Sequence, residues 1–233
     1  MEKHQTYFNL LDALKEKGCP ICFLIKKKIH KSMENFLYEN VNDPETRKKI
    51  RESFGYCALH SWQLQKFGDG LGLSIIYEDL LGILKNKIEE FTSKKNKYNL
   101  FKKQLNLLTN NIKLSYHEKT KRSCPICKEM RDTEKIYISS FIEYFNDIEF
   151  NINYESSFGL CLPHFISTIK LCKNESIIKE LCKIEIKKIE LLQQELIEFQ
   201  RKHDYRFSYE GYGKEKDSWI RAIEKLIGKE GIF

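Results

Sequence analysis

Two Cys-Pro-Ile-Cys tetrapeptides, each followed at a distance by a Cys-x-x-His step, restrict this chain more than any other feature of its 233 residues. Cys19-Pro20-Ile21-Cys22 precedes Cys57-Ala58-Leu59-His60 with 34 residues between them, and Cys124-Pro125-Ile126-Cys127 precedes Cys161-Leu162-Pro163-His164 with 33. Three thiolates and one imidazole are the donor complement of a closed tetrahedral zinc site. The spacing therefore predicts two structural Zn²⁺ sites: one from Cys19, Cys22, Cys57 and His60, the other from Cys124, Cys127, Cys161 and His164. Each set fills four positions and leaves none for water or substrate, unlike a hydrolytic zinc centre. Mononuclear iron, an iron–sulfur centre and redox dithiols are the alternatives, and a displaceable His60 or His164 would make a metal sensor.

The likeness between the two halves extends past the ligands. Phe54-Gly55-Tyr56-Cys57 matches Phe158-Gly159-Leu160-Cys161, and Ser74-Ile75-Ile76-Tyr77-Glu78 matches Ser176-Ile177-Ile178-Lys179-Glu180. Ordered agreement at a drifting offset predicts an internal duplication. The expected segments are a first zinc-binding repeat at 1–93, a basic helical connector at 94–112, a second zinc-binding repeat at 113–203, and an aromatic loop with a docking helix at 204–233. Together they are expected to form one compact unit.

Both repeats carry helical signals. Asp43 can cap a helix that Pro44 and Glu45 open, and Gly55 can close it in the left-handed conformation. Cys and His at i and i+3 share one face of the helix that follows, whereas Cys-x-x-Cys is expected as a tight turn. Leu73, Ile76, Leu80, Leu84 and Ile88 form an apolar stripe over Leu71–Phe91, as do Ile177, Leu181, Ile184, Ile189, Leu192 and Leu196 further on. Trp219, Ile223, Leu226 and Ile227 form another, expected to dock as a lid and to end at Gly228. The fold class predicted is all-α: two tandem zinc-stapled repeats packed with pseudo-twofold symmetry, plus a C-terminal helix.

Glu78 and Asp79 interrupt a very apolar run, which predicts a central helix with a carboxylate needing a partner. A ligand groove is one reading of this region, with Tyr77, Glu78, Glu180, Arg206, Trp219 and Arg221 as candidates; a buried salt bridge is the other. The charge of +7 is unevenly placed: nine basic residues against Glu118 give the Ser93–Arg122 stretch +8, so the remainder carries −1. Such a band can bind RNA through Lys94, Lys95, Lys97, Lys102 and Lys103, or it can be a solvated surface. Cys172 and Cys182 fall outside the quartets and read as small core thiols on one helix. His4, His30, His117 and His203 have no partner at metal spacing. No membrane span, signal segment or known catalytic motif is evident, so a cytoplasmic protein without a membrane partner is expected.

Cys-Pro-Ile-Cys, Gly55–Trp62, Gly68–Leu81 and the Ser218–Glu224 stretch resemble an uncharacterised prokaryotic family of about this length. The resemblance implies an intracellular, helical, metal-binding protein and supplies no reaction. The function expected is non-enzymatic binding of a protein partner or small ligand. An RNA- or ribosome-associated protein, and an enzyme or metal-redox protein with a pocket near Glu78, are the alternatives.

Overall fold

The computed structural model describes residues 3–93 and 124–232, and among these the secondary structure is helical, with no strand. Ten α-helices follow one another: α1 (Gln5–Leu14), α2 (Pro20–Asn35), α3 (Pro44–Ser53), α4 (Ala58–Gln65), α5 (Gly70–Ser93), α6 (Pro125–Tyr144), α7 (Ile148–Ser156), α8 (Leu162–Leu171), α9 (Glu175–Lys202) and α10 (Ser218–Ile227). A π-helical turn at Phe36–Asn40 extends α2, and 3₁₀ turns at Ser208–Glu210 and Lys214–Asp217 precede α10. The basic connector, with Lys94, Lys95, Lys97, Lys102 and Lys103, and His117 lie outside the described residues.

Local chemistry explains most helix ends. Asp43 keeps extended backbone and accepts the Thr46 N–H at 2.7 Å, with Pro44 in the first turn of α3, satisfying a donor the helix cannot. Asp147 caps α7 through the Phe150 N–H at 3.0 Å, and Asn174 caps α9 through the Ser176 N–H at 2.9 Å. At the end of α3 the left-handed residue is Phe54, φ 53°, and Gly55 follows at φ 92°. The Gly55 N–H reaches back to the Ile50 carbonyl at 2.8 Å, the long bond of a Schellman motif. The expected glycine cap thus begins one residue earlier.

The chain forms two compact units. One comprises Met1–Lys28 with Thr133–Phe233, the other Ile29–Asp132. The divisions fall inside α2 and α6, away from the expected boundaries at 93, 112 and 203. The core of the first unit is aromatic: Tyr7, Phe141, Tyr144, Phe145, Phe150 and Tyr154 are buried. Tyr7 meets Tyr144 edge-on at 5.0 Å, and Phe141 meets Tyr154 likewise at 5.0 Å, the favoured geometry for ring quadrupoles. The Tyr7 hydroxyl donates to Asp147 at 2.8 Å, so the α7 cap also ties down α1.

The second unit buries Ile29, Met33, Phe36, Leu37, Val41, Ile50, Leu64, Ile76 and Leu80. Its long helix α5 is not the central, wholly covered helix that its composition suggests. Ile76 and Leu80 are buried, but Leu71 is 74% exposed and Leu81 61%, and Leu84 and Ile88 of the expected stripe are exposed too. An apolar run signals covering only where another element arrives to provide it.

Candidate metal centres

The eight expected ligands do gather into two clusters, but with exchanged partners. Cys19 and Cys22 meet Cys161 and His164 inside the first unit, while Cys57 and His60 meet Cys124 and Cys127 inside the second. This corrects the grouping by nearness in sequence: each Cys-x-x-Cys is completed by the Cys-x-x-His of the other half. All eight residues are buried, and the ligand atoms of each cluster lie within 4.8 Å of one another.

The distances fit a tetrahedral metal. A zinc ion at its usual bond lengths would set sulfur pairs about 3.8 Å apart and sulfur–nitrogen pairs about 3.6 Å. Cys22 Sγ lies 3.7 Å from Cys161 Sγ, and Cys57 Sγ 3.6 Å from Cys127 Sγ. His164 Nδ1 is 3.4 Å from Cys19, 3.4 Å from Cys22 and 3.2 Å from Cys161. His60 Nδ1 is 3.1 Å from Cys57, 3.5 Å from Cys124 and 3.3 Å from Cys127. Disulfide sulfurs stand about 2.05 Å apart, and all these thiols are free.

Four helix starts converge pairwise on these sites. Cys57 and Cys161 are the N-caps of α4 and α8, with His60 and His164 in the first turns. Cys19 and Cys124 directly precede α2 and α6, so Cys-Pro-Ile-Cys is a helix start and not the separate turn expected. Pro20 and Pro125 occupy the first helical position, where the missing N–H costs nothing. Each centre therefore sits at the positive ends of two helix dipoles, which favour thiolate.

Without a cation, three crowded thiols cannot all ionise. Hydrogen bonds from Cys124 and Cys127 hold the Cys57 thiol far down, while the contacts with Cys124 and Cys57 push Cys127 far up. In the other cluster burial opposes ionisation of Cys19, but hydrogen bonds from Cys161, Cys22 and His164 bring it well down, and Cys22 is driven up. Burial disfavours charge on His60, yet contacts with Cys124 and Cys57 raise it to about 9. A divalent cation would relieve this frustration by offsetting two of the three thiolate charges, binding all three sulfurs and displacing the imidazole proton.

One supporting network was missing from the sequence reading. Glu185 of α9 is buried, accepts the Leu160 N–H at 2.8 Å, receives the Tyr154 hydroxyl, and pairs with Lys225 Nζ of α10 at 2.5 Å. Lys188 Nζ donates to the carbonyls of Tyr154 and Glu155, each at 2.8 Å, and to that of Ser157. These groups hold the turn that delivers Cys161. Gly159 turns there at φ 82°, and a Cβ on it would stand 2.5 Å from Glu185 Oε1. A signal was present: 177, 181, 184, 185 and 188 share one helical face, which places Glu185 and Lys188 beside apolar residues. A Glu134 carboxylate oxygen stands 3.8 Å from His164 Nε2, beyond hydrogen-bond reach, and buried His60 Nε2 has no hydrogen-bond partner among the described residues.

The groove candidates divide between the two units. Tyr77 and Glu78 belong to one unit, and Glu180, Arg206, Trp219 and Arg221 to the other. Glu78 is exposed. Its neighbour Asp79 carries the ion pair, to Arg47 at 3.0 Å and Arg51 at 2.7 Å. Glu180 makes a surface pair with Lys183 at 3.7 Å, and Arg206 folds back on Asp204. Arg221 pairs with Glu195 at 2.5 Å and Asp217 at 2.7 Å, while Trp219 is half exposed. Cys172 is buried at the end of α8 and Cys182 is half-buried in α9, so they do not share a helix as expected. His30 lies against Phe67 with ring centroids 4.8 Å apart and the planes tilted by 50°, and His203 Nδ1 lies 3.0 Å from the Phe199 carbonyl. No helix among the described residues is long and apolar enough to cross a membrane.

An "Uncharacterized 23.9 kDa protein in xynA 3'region" from Caldicellulosiruptor sp. (strain Rt8B.4) is 27% identical over 224 residues, covering 95% of this chain and all of that protein. No solved structure matches. A family model matches residues 1–231, and the chain belongs to that family, described as a "Family of unknown function (DUF6062)".

Proposed function

We propose that this is a zinc-stapled helical protein that acts by binding a partner or ligand, and not by catalysis. The observation that carries the reading is the pair of buried tetrahedral donor sets, each with three sulfurs and one Nδ1. Zinc held by Cys19, Cys22, Cys161 and His164, and by Cys57, His60, Cys124 and Cys127, would have every coordination position filled. Its chemistry would then be neutralisation of thiolates and cross-linking of helix starts, not activation of water. A reducing cytoplasm fits eight unbridged cysteines.

Native mass spectrometry of protein taken from its own source tests both parts of the reading. Two zinc ions per chain and a co-purifying macromolecule or ligand are the expected result. Iron in place of zinc would overturn the assignment of the metal, and turnover of a retained small molecule would overturn the non-catalytic role.

A further inference from the structure

Helix α10 lies across the turns that deliver two ligands of one metal centre. Apolar periodicity predicts docking through Trp219, Ile223, Leu226 and Ile227, yet these are between 49% and 63% exposed. The helix is seated by its other side, where Ser218, Arg221, Glu224 and Lys225 fall within an arc of about 120°. Lys225 is buried, pairs with Glu185 of α9 at 2.5 Å, and donates to the Phe158 carbonyl at 3.3 Å. Phe158 begins the turn that leads through Gly159 to Cys161. One residue earlier on α10, Glu224 lies against Gly18: a Cβ there would stand 2.8 Å from Glu224 Oε2. Gly18, at φ 91°, directly precedes Cys19. A single helix thus bears on both chain segments that carry Cys19 and Cys161 into their centre. Arg221 makes its bonds elsewhere, tying α10 down through Glu195 of α9 at 2.5 Å and the Lys214 carbonyl at 2.7 Å.

On the zinc reading above, on which this rests, we propose that α10 is a strap that controls escape of the metal from the Cys19, Cys22, Cys161 and His164 centre. A buried ion with four protein donors leaves only after donors swing away from it. Cys19 and Cys161 each stand within two residues of a left-handed glycine, Gly18 or Gly159, where the backbone can re-aim a sulfur most cheaply. With α10 seated, Glu224 and the Lys225–Glu185 pair hold both turns. The strap itself is lightly held, since its apolar side is left to solvent and ion pairs supply much of what seats it. Segments that bury little apolar surface open locally at a free energy below that of global unfolding. Metal exchange at this centre therefore proceeds by lifting of α10 while the rest of the unit stays folded. The ligands of the other centre belong to the other unit. There the turn before Cys57 leans on an apolar side chain, Leu80 of α5, whose Cδ1 would stand 3.0 Å from a Cβ on Gly55. Its metal should be indifferent to α10.

Pulsed alkylation of the full, zinc-loaded chain in an excess of zinc chelator tests the strap. Peptide mass spectrometry reads the centres separately: Cys19, Cys22 and Cys161 are labelled as one metal leaves, and Cys57, Cys124 and Cys127 as the other does. Lys225→Met is expected to speed labelling at the first centre about tenfold or more and to leave the second unchanged. Arg221→Gln unties α10 at a different point and is expected to do the same more weakly. Hydrogen exchange should quicken in both variants over α10 and over the turns before Cys19 and Cys161, but not over the turn before Cys57. Equal acceleration at both centres would signify general destabilisation and overturn the strap. Faster exchange in α10 with metal loss at the first centre unchanged would overturn it too. Should Lys225→Met fail to fold, Arg221→Gln decides alone. Wild-type cysteines labelled at once without chelator would instead overturn the zinc reading itself, and the strap with it.

Discussion

Glu185 shows how a single side chain can support a centre it never touches. Its carboxylate accepts the Leu160 N–H, meets Tyr154 and balances Lys225, so the turn before Cys161 rests on a buried charge. Removing one member of a buried pair leaves the other uncompensated. Glu185→Gln should therefore cost about 3 kcal/mol in urea unfolding, and pairing it with Lys225→Met should recover part of that loss. Asp79 offers a pH test. Arg51, and then Arg47, hold its carboxyl below the usual carboxylate range. A depressed folded-state value means stability that is present above the unfolded value of about 3.9 and is lost as pH falls through the lower, folded one. Asp79→Asn should lower the free energy of urea unfolding near neutrality by up to about 1 kcal/mol, and the gap from wild type should close in strong acid. The sequence marked the Glu78–Asp79 pair as needing a partner, but it could not tell which of the two carboxylates turns inward.

At the scale of elements, most of what the sequence says about helix starts is kept. Asp43-Pro44, Cys57 and Cys161 open helices as their chemistry requires. Asp43→Ala should lower stability in thermal or urea unfolding, since the Thr46 N–H loses its acceptor. What the sequence could not supply is which face of an amphipathic helix is covered. Apolar periodicity identifies α10 correctly, yet the covered side is the polar one, because Glu185 and Glu195 on α9 offer partners for Lys225 and Arg221. The same limit explains α5 and Ile189 of α9, whose apolar residues are partly exposed. Periodicity is a property of one helix, and burial is a property of two.

At the scale of the whole molecule, sequence motifs named all eight ligands but assigned them to the wrong partners. Spacing along a chain favours short closures only weakly. Joining Cys22 to Cys161 across 139 residues, or Cys57 to Cys127 across 70, costs only about 1 kcal/mol more than a 35-residue closure. Zinc binding on the order of 10–16 kcal/mol per site overwhelms that difference and also exceeds the roughly 5–15 kcal/mol stability of a typical domain. Complete chelation should therefore lower the melting temperature steeply and remove part of the far-ultraviolet helical signal. The most direct test of the exchanged centres is zinc stoichiometry by native mass spectrometry in paired serine variants. Cys19→Ser with Cys161→Ser should leave one zinc bound, and Cys19→Ser with Cys57→Ser should leave none. The reverse pattern, with one zinc kept by the second pair and none by the first, would contradict the arrangement described here.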